Sequence, residues 1–369
     1  MKILLDDQPF NSALFPFAQV RSLAHIRVGI LTIYEKWKFY FPGKVFISSE
    51  ISDEVLQNTR FESYPANVIP SNNFLKTLSE KDHRIEFPED SKILTRPWQI
   101  FQYNDWAIRQ DFEIITAGRI SEKLPEGTRA MGLENIFIEE GAKINFSIIN
   151  AESGPVYIGK NAEIMEGCLL RGPVSIGDHS ILKMGTKIYG ATTIGPNCVA
   201  GGEIKNSIMM EWSNKGHDGY LGDSVLGEWC NLGAGTSNSN LKNNASGVKV
   251  WVKDENTFED AGLKCGLLMG SYSRSAINTS FNTGTVVGIS CNVFGTSFPS
   301  KFIDNFTWGE EEYDFEKALV DIVSWKKLKG VEATLDEKES LKTIYKKNKH
   351  EKTDCSSQLE NEFNPGTSR

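Results

Sequence analysis

Residues 156–195 read V-Y-I-G-K-N-A-E-I-M-E-G-C-L-L-R-G-P-V-S-I-G-D-H-S-I-L-K-M-G-T-K-I-Y-G-A-T-T-I-G and decide the fold. Aliphatic residues occupy every sixth position, at Ile158, Ile164, Leu170, Ile176, Leu182, Ile188 and Ile194. A helix repeats every ~3.6 residues and an exposed strand every ~2, so neither gives a period of six. Three hexads make one coil with three short strands, three corners and an inward aliphatic side chain on each face. The period therefore predicts a left-handed parallel β-helix over about residues 131–297.

A second phased set continues the pattern and consists of Leu263, Met269, Ser275, Phe281, Val287 and Val293. Glycine follows the aliphatic residue once per coil, as in Ile158-Gly159 and Ile176-Gly177. We expect glycine there because a β-carbon would be crowded at the corner or because φ must be positive. A twisted sheet with coincidental spacing is the alternative, and seven successive matches in phase argue against it.

The period is interrupted between the two sets. It weakens over 206–219, returns at Leu226-Gly227 and Leu232-Gly233, and breaks over 237–247. The last break is rich in Asn, Ser, Lys and Gly and predicts a loop that leaves the coil. Interruptions of a repeat scaffold commonly carry functional residues.

The segments on either side have ordinary globular patterns. Residues 1–118 predict a mixed α/β domain with strands at 2–5 and 44–47 and helices at 23–41 and 98–115. The β-helix domain is predicted over 119–308, ending in a strand at 302–308.

The C-terminal segment is expected to close the solenoid. Helices are predicted at 313–329 and 335–346, within a segment 309–348 that covers the unpaired end of the last coil. The polar tail 349–369 lacks periodicity and is predicted to be disordered.

Composition limits the partners and the compartment. A net charge of −8 over 369 residues disfavours nucleic acid, and no apolar run approaches the ~18 residues of a membrane span. Carboxylates appear too early in the chain for a secretory signal, at Asp6 and Asp7. The six cysteines form no C-x-x-C pair, so we expect buried free thiols and a cytoplasmic protein.

Residues 214–242 read N-K-G-H-D-G-Y-L-G-D-S-V-L-G-E-W-C-N-L-G-A-G-T-S-N-S-N-L-K. This stretch closely resembles the acetyltransferase half of the bacterial bifunctional family that makes UDP-N-acetylglucosamine, a hexapeptide-repeat acyltransferase. The family hallmark includes G-H-x-x-Y-L-G-D, then N-x-G-A-G-T, then an Asn. The resemblance implies acetyl-CoA as co-substrate and a homotrimer with active sites between subunits.

Residues 14–37, L-F-P-F-A-Q-V-R-S-L-A-H-I-R-V-G-I-L-T-I-Y-E-K-W, are similar to the start of a divergent sugar-nucleotidyltransferase group. Members of that group carry the same β-helix behind a shortened first domain. Together the two resemblances cover about residues 1–348.

The resemblance assigns roles to individual residues. It implies that His217 is the catalytic base. It implies that the sugar phosphate is held by Lys183 (where the family has Arg), Lys205, Tyr220 and Asn231. It implies that the acetyl-CoA groove is lined by Ala234, Asn240 and Ser271.

The chemistry of acetyl transfer requires such residues. The amine of an amino sugar is largely protonated near pH 7, and an imidazole is suited to take its proton. Backbone N–H groups around 233–235 could stabilise the oxyanion of the tetrahedral intermediate. Lys183 and Lys205 offer point charges to a phosphate, although a lysine in place of arginine loses the bidentate contact.

Each candidate also has a structural alternative. His217 would otherwise be a solvated loop histidine, and Tyr220 would cap an apolar corner. Asn231 and Asn240 would form a side-chain ladder in turns. The two lysines would be solvated corner charges.

No metal site is predicted in the repeats. A zinc site of the kind found in trimeric β-helix carbonic anhydrases needs three imidazoles. Only His179 and His217 lie in the repeats, and His179 is interpreted as structural.

The first domain lacks the Gly-rich loop that cradles a triphosphate, L-x-x-G-x-G-T-R in the related enzymes. Its first strand is followed by Asp6, Asp7, Gln8 and Pro9, and its first glycine is Gly29. The candidates for nucleotide binding are Asp7, Arg21 and Lys36, with Arg27 and Lys38 as further cations, and Asp6 or Asp7 could hold Mg²⁺. The plain alternatives are exposed helix charges and a turn. We favour a reduced nucleotidyltransferase-like domain, which would use Mg²⁺ only if it is active.

The leading hypothesis is an acetyl-CoA-dependent N-acetyltransferase that acts on an amino-sugar phosphate or a nucleotide-linked amino sugar. One rival is a sugar-1-phosphate nucleotidyltransferase whose β-helix only trimerises. Another is a non-enzymatic scaffold that binds a nucleotide sugar.

Overall fold

The computed structural model describes residues 1–7, 12–81 and 85–363, with side chains up to Lys349. It contains an N-terminal α/β region, a parallel β-helix and C-terminal helices, which confirms the predicted fold class. Gln8 and Pro9, which follow the first strand, lie outside the described residues. Residues 364–369, the end of the predicted tail, also lie outside the described residues, and the disorder of the tail stays a prediction.

The described β-helix has three faces, each a parallel sheet with one strand per coil. The strands of face 1 are Ile136–Ile138, Val156–Ile158, Val174–Ile176, Thr192–Ile194, Ile208–Met209, Val225–Leu226, Leu267–Met269, Thr285–Val287 and Phe302–Ile303. The strands of face 2 are Lys143–Ile144, Glu163–Ile164, Ile181–Leu182, Val199–Ala200, Asn214–Lys215, Asn231–Leu232, Arg274–Ser275, Asn292–Val293 and Thr307–Trp308, with Glu311–Glu312 added antiparallel. The strands of face 3 are Arg129–Met131, Ile148–Asn150, Leu169–Arg171, Lys187–Tyr189, Glu203–Lys205 and Tyr220–Gly222, and the pair Ser237–Asn238 and Ser280–Phe281 follows on the same side.

The seven hexad residues of the first set all point inward and are buried. The second set is buried from Met269 to Val293, but Leu263 is 53% exposed. The assignment of Leu263 to the core was therefore wrong. It belongs to the segment that has left the coil, and the next coil begins with the strand Leu267–Met269.

The corner between faces 1 and 2, called corner 1/2, turns at a left-handed residue in successive coils. These residues are Asn161, His179, Asn197, Trp212, Trp229, Tyr272, Ser290 and Phe306. The glycines two positions earlier serve the other expected purpose, close approach of the coils. A β-carbon on Gly159 would lie 2.7 Å from the Asp178 nitrogen, and one on Gly177 would lie 2.5 Å from the Pro196 nitrogen.

The segment that leaves the coil is longer than predicted. Ser237–Asn238 is still a strand of the β-helix, so the predicted start of the loop at 237 was wrong. The excursion continues to Cys265 and contains an antiparallel hairpin, Lys249–Val252 with Thr257–Asp260. Its buried side chains, Val248, Val250 and Val252, join the core of the N-terminal domain, which explains why it departs from the coil.

The N-terminal domain is built on parallel strands in the order Val45–Ile47, Ile3–Asp6 and Glu62–Pro65, and the first two were predicted. A short antiparallel pair is formed by Val68–Ile69 and Lys92–Ile93. The helices are α1 (Ile33–Tyr40), α2 (Asp53–Asn58), α3 (Asn72–Glu80), α4 (Gln99–Gln102) and α5 (Asn104–Thr116), so the predicted helix at 98–115 is confirmed as two successive helices.

The predicted helix over 23–41 was partly wrong. The chain makes one short 3₁₀ turn at Leu23–His25, passes Gly29 at φ +91°, and starts α1 only after Thr32, whose capping box with Glu35 fixes the first turn. The intervening backbone is not helical because its N–H groups bond elsewhere. Asp111 on α5 accepts from the N–H groups of Ile30 and Leu31, at 2.8 and 2.9 Å.

The N-terminal domain packs against face 1 in one continuous core. The Asn104 amide donates to the Ala191 carbonyl at 2.7 Å, and the Thr193 hydroxyl donates to the Gly29 carbonyl at 2.9 Å. The Arg27 guanidinium donates to Glu211 of corner 1/2, with Nε 2.9 Å from the carboxylate. The segment that follows the first strand therefore bonds to the β-helix and holds the N-terminal domain against it.

Helices α6 (Phe315–Leu328) and α7 (Leu335–Phe363) cover the aromatic residues of corner 1/2, including Trp229, Tyr272 and Phe306. Helix α6 begins two residues after the predicted start at 313. Helix α7 begins at the predicted residue 335 but ends at Phe363 rather than 346, within the segment predicted as a tail. No helix in the described part of the chain is long and apolar enough to cross a bilayer. The described cysteines at 168, 198, 230 and 265 are buried free thiols, as predicted, and Cys291 is buried as well.

Replacing Asp111 by Ala tests the buried contact between α1 and α5. Asp111 forms a fully buried ion pair with Lys36, so its removal leaves an uncompensated ammonium and two unpaired N–H groups. We expect the free energy of unfolding to fall by about 3–5 kcal/mol. The control is Asp105→Ala on the same helix, which breaks an exposed pair with Arg109 and should cost less than about 1 kcal/mol. Equal losses measured by urea denaturation would contradict the assignment.

Candidate active site

His217 lies on the corner between faces 2 and 3, called corner 2/3, and its side chain is exposed to solvent. The strand Asn214–Lys215 precedes this corner and Tyr220–Gly222 follows it. The exposed imidazole is thus presented by a turn between two strands of a rigid scaffold. Such a position permits contact with a ligand, unlike a histidine packed into the core.

The backbone of this corner is held by the coils on both sides. A β-carbon on Gly201 would lie 2.8 Å from the Gly216 carbonyl, and one on Gly202 would lie 3.0 Å from the His217 carbonyl oxygen. On the other side, the Gly235 N–H donates to the Asp218 carbonyl at 3.1 Å. The glycines at 201 and 202 therefore let the His217 turn sit directly on the neighbouring coil.

A polar cluster lies on face 3 next to this corner. The Tyr220 hydroxyl accepts from the Asn240 amide at 3.1 Å, and that amide also donates to the Asp223 carboxylate. Asn206 donates to the other oxygen of Asp223 at 2.6 Å. Burial, together with the charge of Asp223, raises the pKa of Tyr220 to about 12. Tyr220 therefore keeps its proton at neutral pH and can act as a hydrogen-bond donor.

The two candidate lysines lie on the same side of the β-helix. Lys205 pairs in register with Gly222 on face 3, and its ammonium lies 5.7 Å from the centre of the Tyr189 ring. Lys183 is exposed on corner 2/3. It shares its register position with Gly216, which lies two coils further along the β-helix. At ~4.8 Å per coil, its backbone is about 10 Å from the His217 corner.

Two candidates lie elsewhere. Asn231 projects from face 2, where its carbonyl oxygen accepts from Asn214 at 3.4 Å. Lys329, which follows α6, contacts that same Asn214. Ser271 is buried on corner 1/2, where its hydroxyl accepts from the Glu228 N–H at 3.1 Å. Asn231 is thus on the face that ends at corner 2/3, one coil from Asn214, whereas Ser271 is on a different corner from His217.

The glycines around Ala234 do not offer the free amides expected from the sequence. The Gly233 N–H donates to the Ser275 carbonyl and the Gly235 N–H to the Asp218 carbonyl, both at 3.1 Å. These groups are used in stacking the coils. The Ala234 N–H is the amide of this turn that has no acceptor among the described residues.

The sequence reading missed the residues that organise the cluster. Asp223 is buried, has φ +48°, and orders Asn240 and Asn206. The side-chain amide of Asn238 accepts a hydrogen bond from the Gly222 N–H at 2.9 Å and donates one to the Gly222 carbonyl at 3.0 Å. It takes the place of a backbone contact between neighbouring strands. The L-G-D triplet contained the signal for Asp223, since an Asp at a left-handed corner commonly bonds local donors.

Among the nucleotide-binding candidates, Arg21, Arg27 and Lys38 line one cavity beside corner 1/2. Asp7 and Lys36 do not line it. Both Asp7 oxygens accept hydroxyls, from Ser48 and Ser49 at 2.9 Å each. Arg21 forms an ion pair with Glu228 of the β-helix, and Lys36 is buried against Asp111. No cluster of three or more His, Cys, Asp or Glu side chains suited to a metal ion occurs among the described residues.

Replacing Asp223 by Asn tests the polar cluster. The substitution replaces one carboxylate oxygen at residue 223 by an NH₂ group, between the amides of Asn206 and Asn240. One of the two hydrogen bonds that Asp223 accepts is therefore lost, and a donor faces a donor there. We expect the free energy of unfolding to fall by about 1–3 kcal/mol. Asp218→Asn is the control, because this exposed carboxylate should change it by less than about 0.5 kcal/mol. Two equally stable variants in urea denaturation would refute the role of Asp223.

Comparison with known proteins finds similarity over different portions of the chain. A family model described as sugar nucleotidyl transferase matches residues 2–68 and 52–120. The bifunctional protein GlmU of Methanocaldococcus jannaschii is 32% identical over 117 residues, which is 31% of this chain and 28% of that protein. The bifunctional sugar-1-phosphate nucleotidylyltransferase/acetyltransferase of Sulfurisphaera tokodaii is 31% identical over 222 residues, 59% of this chain and 49% of that protein.

The bifunctional protein GlmU of Methanococcus aeolicus is 33% identical over 112 residues, 30% of this chain and 27% of that protein. The chain therefore spans about half or less of the length of these curated relatives. It is similar to the sugar nucleotidyl transferase family over its first 120 residues and to bifunctional nucleotidyltransferase/acetyltransferases over part of its length.

Proposed function

We propose that the protein is an acetyl-CoA-dependent N-acetyltransferase that acts on an amino-sugar phosphate or a nucleotide-linked amino sugar. The observation that carries this proposal is the exposed imidazole of His217 on a backbone held from both sides, beside the cluster of Tyr220, Asn240 and Lys205. The similarity to the bifunctional relative from Sulfurisphaera tokodaii supports it.

The reaction needs one base and one oxyanion donor. The sugar nitrogen forms a bond to the acetyl carbon, the carbon–sulfur bond breaks, and the sulfur leaves as the thiolate of CoA. His217 accepts the proton that the nitrogen loses and returns it to the thiolate or to water. The Ala234 N–H, one coil above His217, is the donor that we assign to the developing oxyanion.

The sugar phosphate is assigned to the cations on the same side. Lys205 is beside Tyr220, and Lys183 extends the positive charge along corner 2/3. Tyr220 offers its hydroxyl proton to the sugar, and Asn240 offers its side-chain oxygen, because both of its N–H groups are already donated. Asn231, on the face that ends at this corner, is kept as a candidate ligand, whereas Ser271 is buried on corner 1/2 and is not assigned to the ligand.

A second copy of the chain is proposed at this corner. Corner 2/3 is convex in one chain, and His217 lines none of the cavities described among the resolved residues. Exposed apolar side chains flank it on this same corner, among them Phe146, Met184 and Ile277, which are 69%, 70% and 68% exposed. Burying them against a neighbouring chain would enclose His217 in a groove, so we propose a homotrimer.

A nucleotidyltransferase is the second candidate, because the family model matches the first domain. Against it, Asp7, Arg21 and Lys36 are already paired with protein groups. We propose that this domain is reduced and serves to cover face 1, with Mg²⁺ required only if it retains activity.

The buried free thiols support the predicted cytoplasmic location.

Release of CoA thiol with glucosamine-1-phosphate and acetyl-CoA tests the proposed function. We expect His217→Asn to reduce the rate by about 10²–10⁴-fold, because asparagine has no basic nitrogen. The control is His179→Asn, which replaces an exposed histidine on corner 1/2, where asparagine tolerates the left-handed backbone.

A panel of amino-sugar phosphates and nucleotide-linked amino sugars extends the assay. Absence of thiol release with every member, or an equal rate for His217→Asn and wild type, would refute the acetyltransferase. Pyrophosphate release from UTP or dTTP with a sugar-1-phosphate would instead establish the second candidate.

A further inference from the structure

Lys215 is the charged residue in a described row of inward positions whose other members are apolar apart from Ser275. The inward row of face 2 runs in register through Ile144, Ile164, Leu182, Ala200, Lys215 and Leu232. Lys215 is only 2% exposed. Burying an ammonium is costly unless it makes compensating contacts, so a lysine in this row requires a specific reason.

The interior is shaped to admit this side chain. Ala200 is the register partner of Lys215 and is the smallest residue in the row, so it leaves space that the leucine at 182 would fill. Inward residues of this coil and of the two adjoining coils belong to the apolar core, including Leu221, Ile204 and Leu232. The methylenes of Lys215 therefore pack as a core residue would, and only its terminal nitrogen needs a polar partner.

That partner is the backbone of the catalytic candidate. The Lys215 Nζ donates to the carbonyl oxygen of His217 at 2.7 Å. A charged donor forms a stronger hydrogen bond than a neutral one, and this one acts away from bulk water. Desolvation lowers the pKa of Lys215 to about 8, with Asp218 of the same corner as the charged group that opposes the shift.

The contact completes the support of the His217 turn. Gly201 and Gly202 bring the turn onto one neighbouring coil, and the Gly235 N–H holds Asp218 from the other. Lys215 adds a contact from within the β-helix, at the carbonyl of His217 itself. Fixing that peptide group fixes the direction in which the imidazole leaves the corner.

We propose that Lys215 is a positioning residue for His217, which anchors the carbonyl of the catalytic base from inside the β-helix. This inference rests on the proposed function of His217. Catalysis depends steeply on such placement, since a displacement of about 1 Å can cost a factor of ~10² in rate.

The substitution Lys215→Met tests the proposal by keeping the length of the side chain while removing its donor. We expect kcat for thiol release to fall roughly tenfold to a hundredfold, with KM for acetyl-CoA unchanged and a thermal midpoint no lower than that of wild type. The control is Leu182→Met in the same inward row, which should leave kcat within about twofold. An unchanged kcat in Lys215→Met would overturn the proposal.

The pH dependence separates positioning from a merely structural role. Below pH 8 the ammonium makes the strong contact, and above it the neutral amine makes a weaker one. The ratio of wild-type to Lys215→Met kcat should therefore be largest at low pH and decrease as the pH rises through about 8. Titration of the substrate amine cancels in this ratio. A ratio independent of pH would contradict the proposal.

An NMR titration keeps the test independent of the proposed activity. In protein labelled at the histidine rings, the His217 signal is assigned by its loss in His217→Asn. We expect this signal to show an inflection near pH 8 in wild type and none in Lys215→Met. Identical titrations of the two proteins would overturn the anchoring contact, whereas failure of thiol release in wild type would overturn only the proposed function.

Discussion

The stacking of one coil directly on the next is the constraint on which the rest of the structure depends. Adjacent coils can hydrogen-bond along their faces only if the corners also come within backbone contact. The corners meet this requirement with residues that remove bulk, such as Gly159 and Gly177, and with residues that turn left-handed, such as Asn161 and His179. The same requirement makes Gly201 and Gly202 the support for the His217 turn. The architecture and the candidate site therefore rest on one feature of the backbone.

Two of the exterior surfaces of the scaffold are already occupied. The N-terminal domain covers face 1 through the Asn104 and Arg27 contacts, and α6 and α7 cover corner 1/2. Face 3 and corner 2/3 keep exposed apolar and polar side chains, including Ile148, Leu169 and His217. Segment 14–37 of the N-terminal domain contributes core residues and ion pairs to its contact with the β-helix.

Some of this organisation was predictable from the sequence and some was not. The hexad period identified the coil because each inward side chain is set by its place within one short strand. The start of α1 was missed because the N–H groups of Ile30 and Leu31 bond to Asp111, which is 81 and 80 residues away. Leu263 was misplaced because it keeps the right spacing inside a segment whose hairpin packs on another domain.

Within the site, Tyr220 and Asn240 were predicted and are in contact, whereas Ser271 lies on corner 1/2, away from His217. Lys215 escaped notice because its role depends on pointing inward, in a stretch where the shortened coils obscure the period. A crystal structure with CoA and an accepted amino sugar tests the central claim most directly. The account predicts the sugar nitrogen within about 3.2 Å of a His217 ring nitrogen, in a groove bordered by a second chain. Ligands bound away from corner 2/3, with His217 facing solvent, would contradict it.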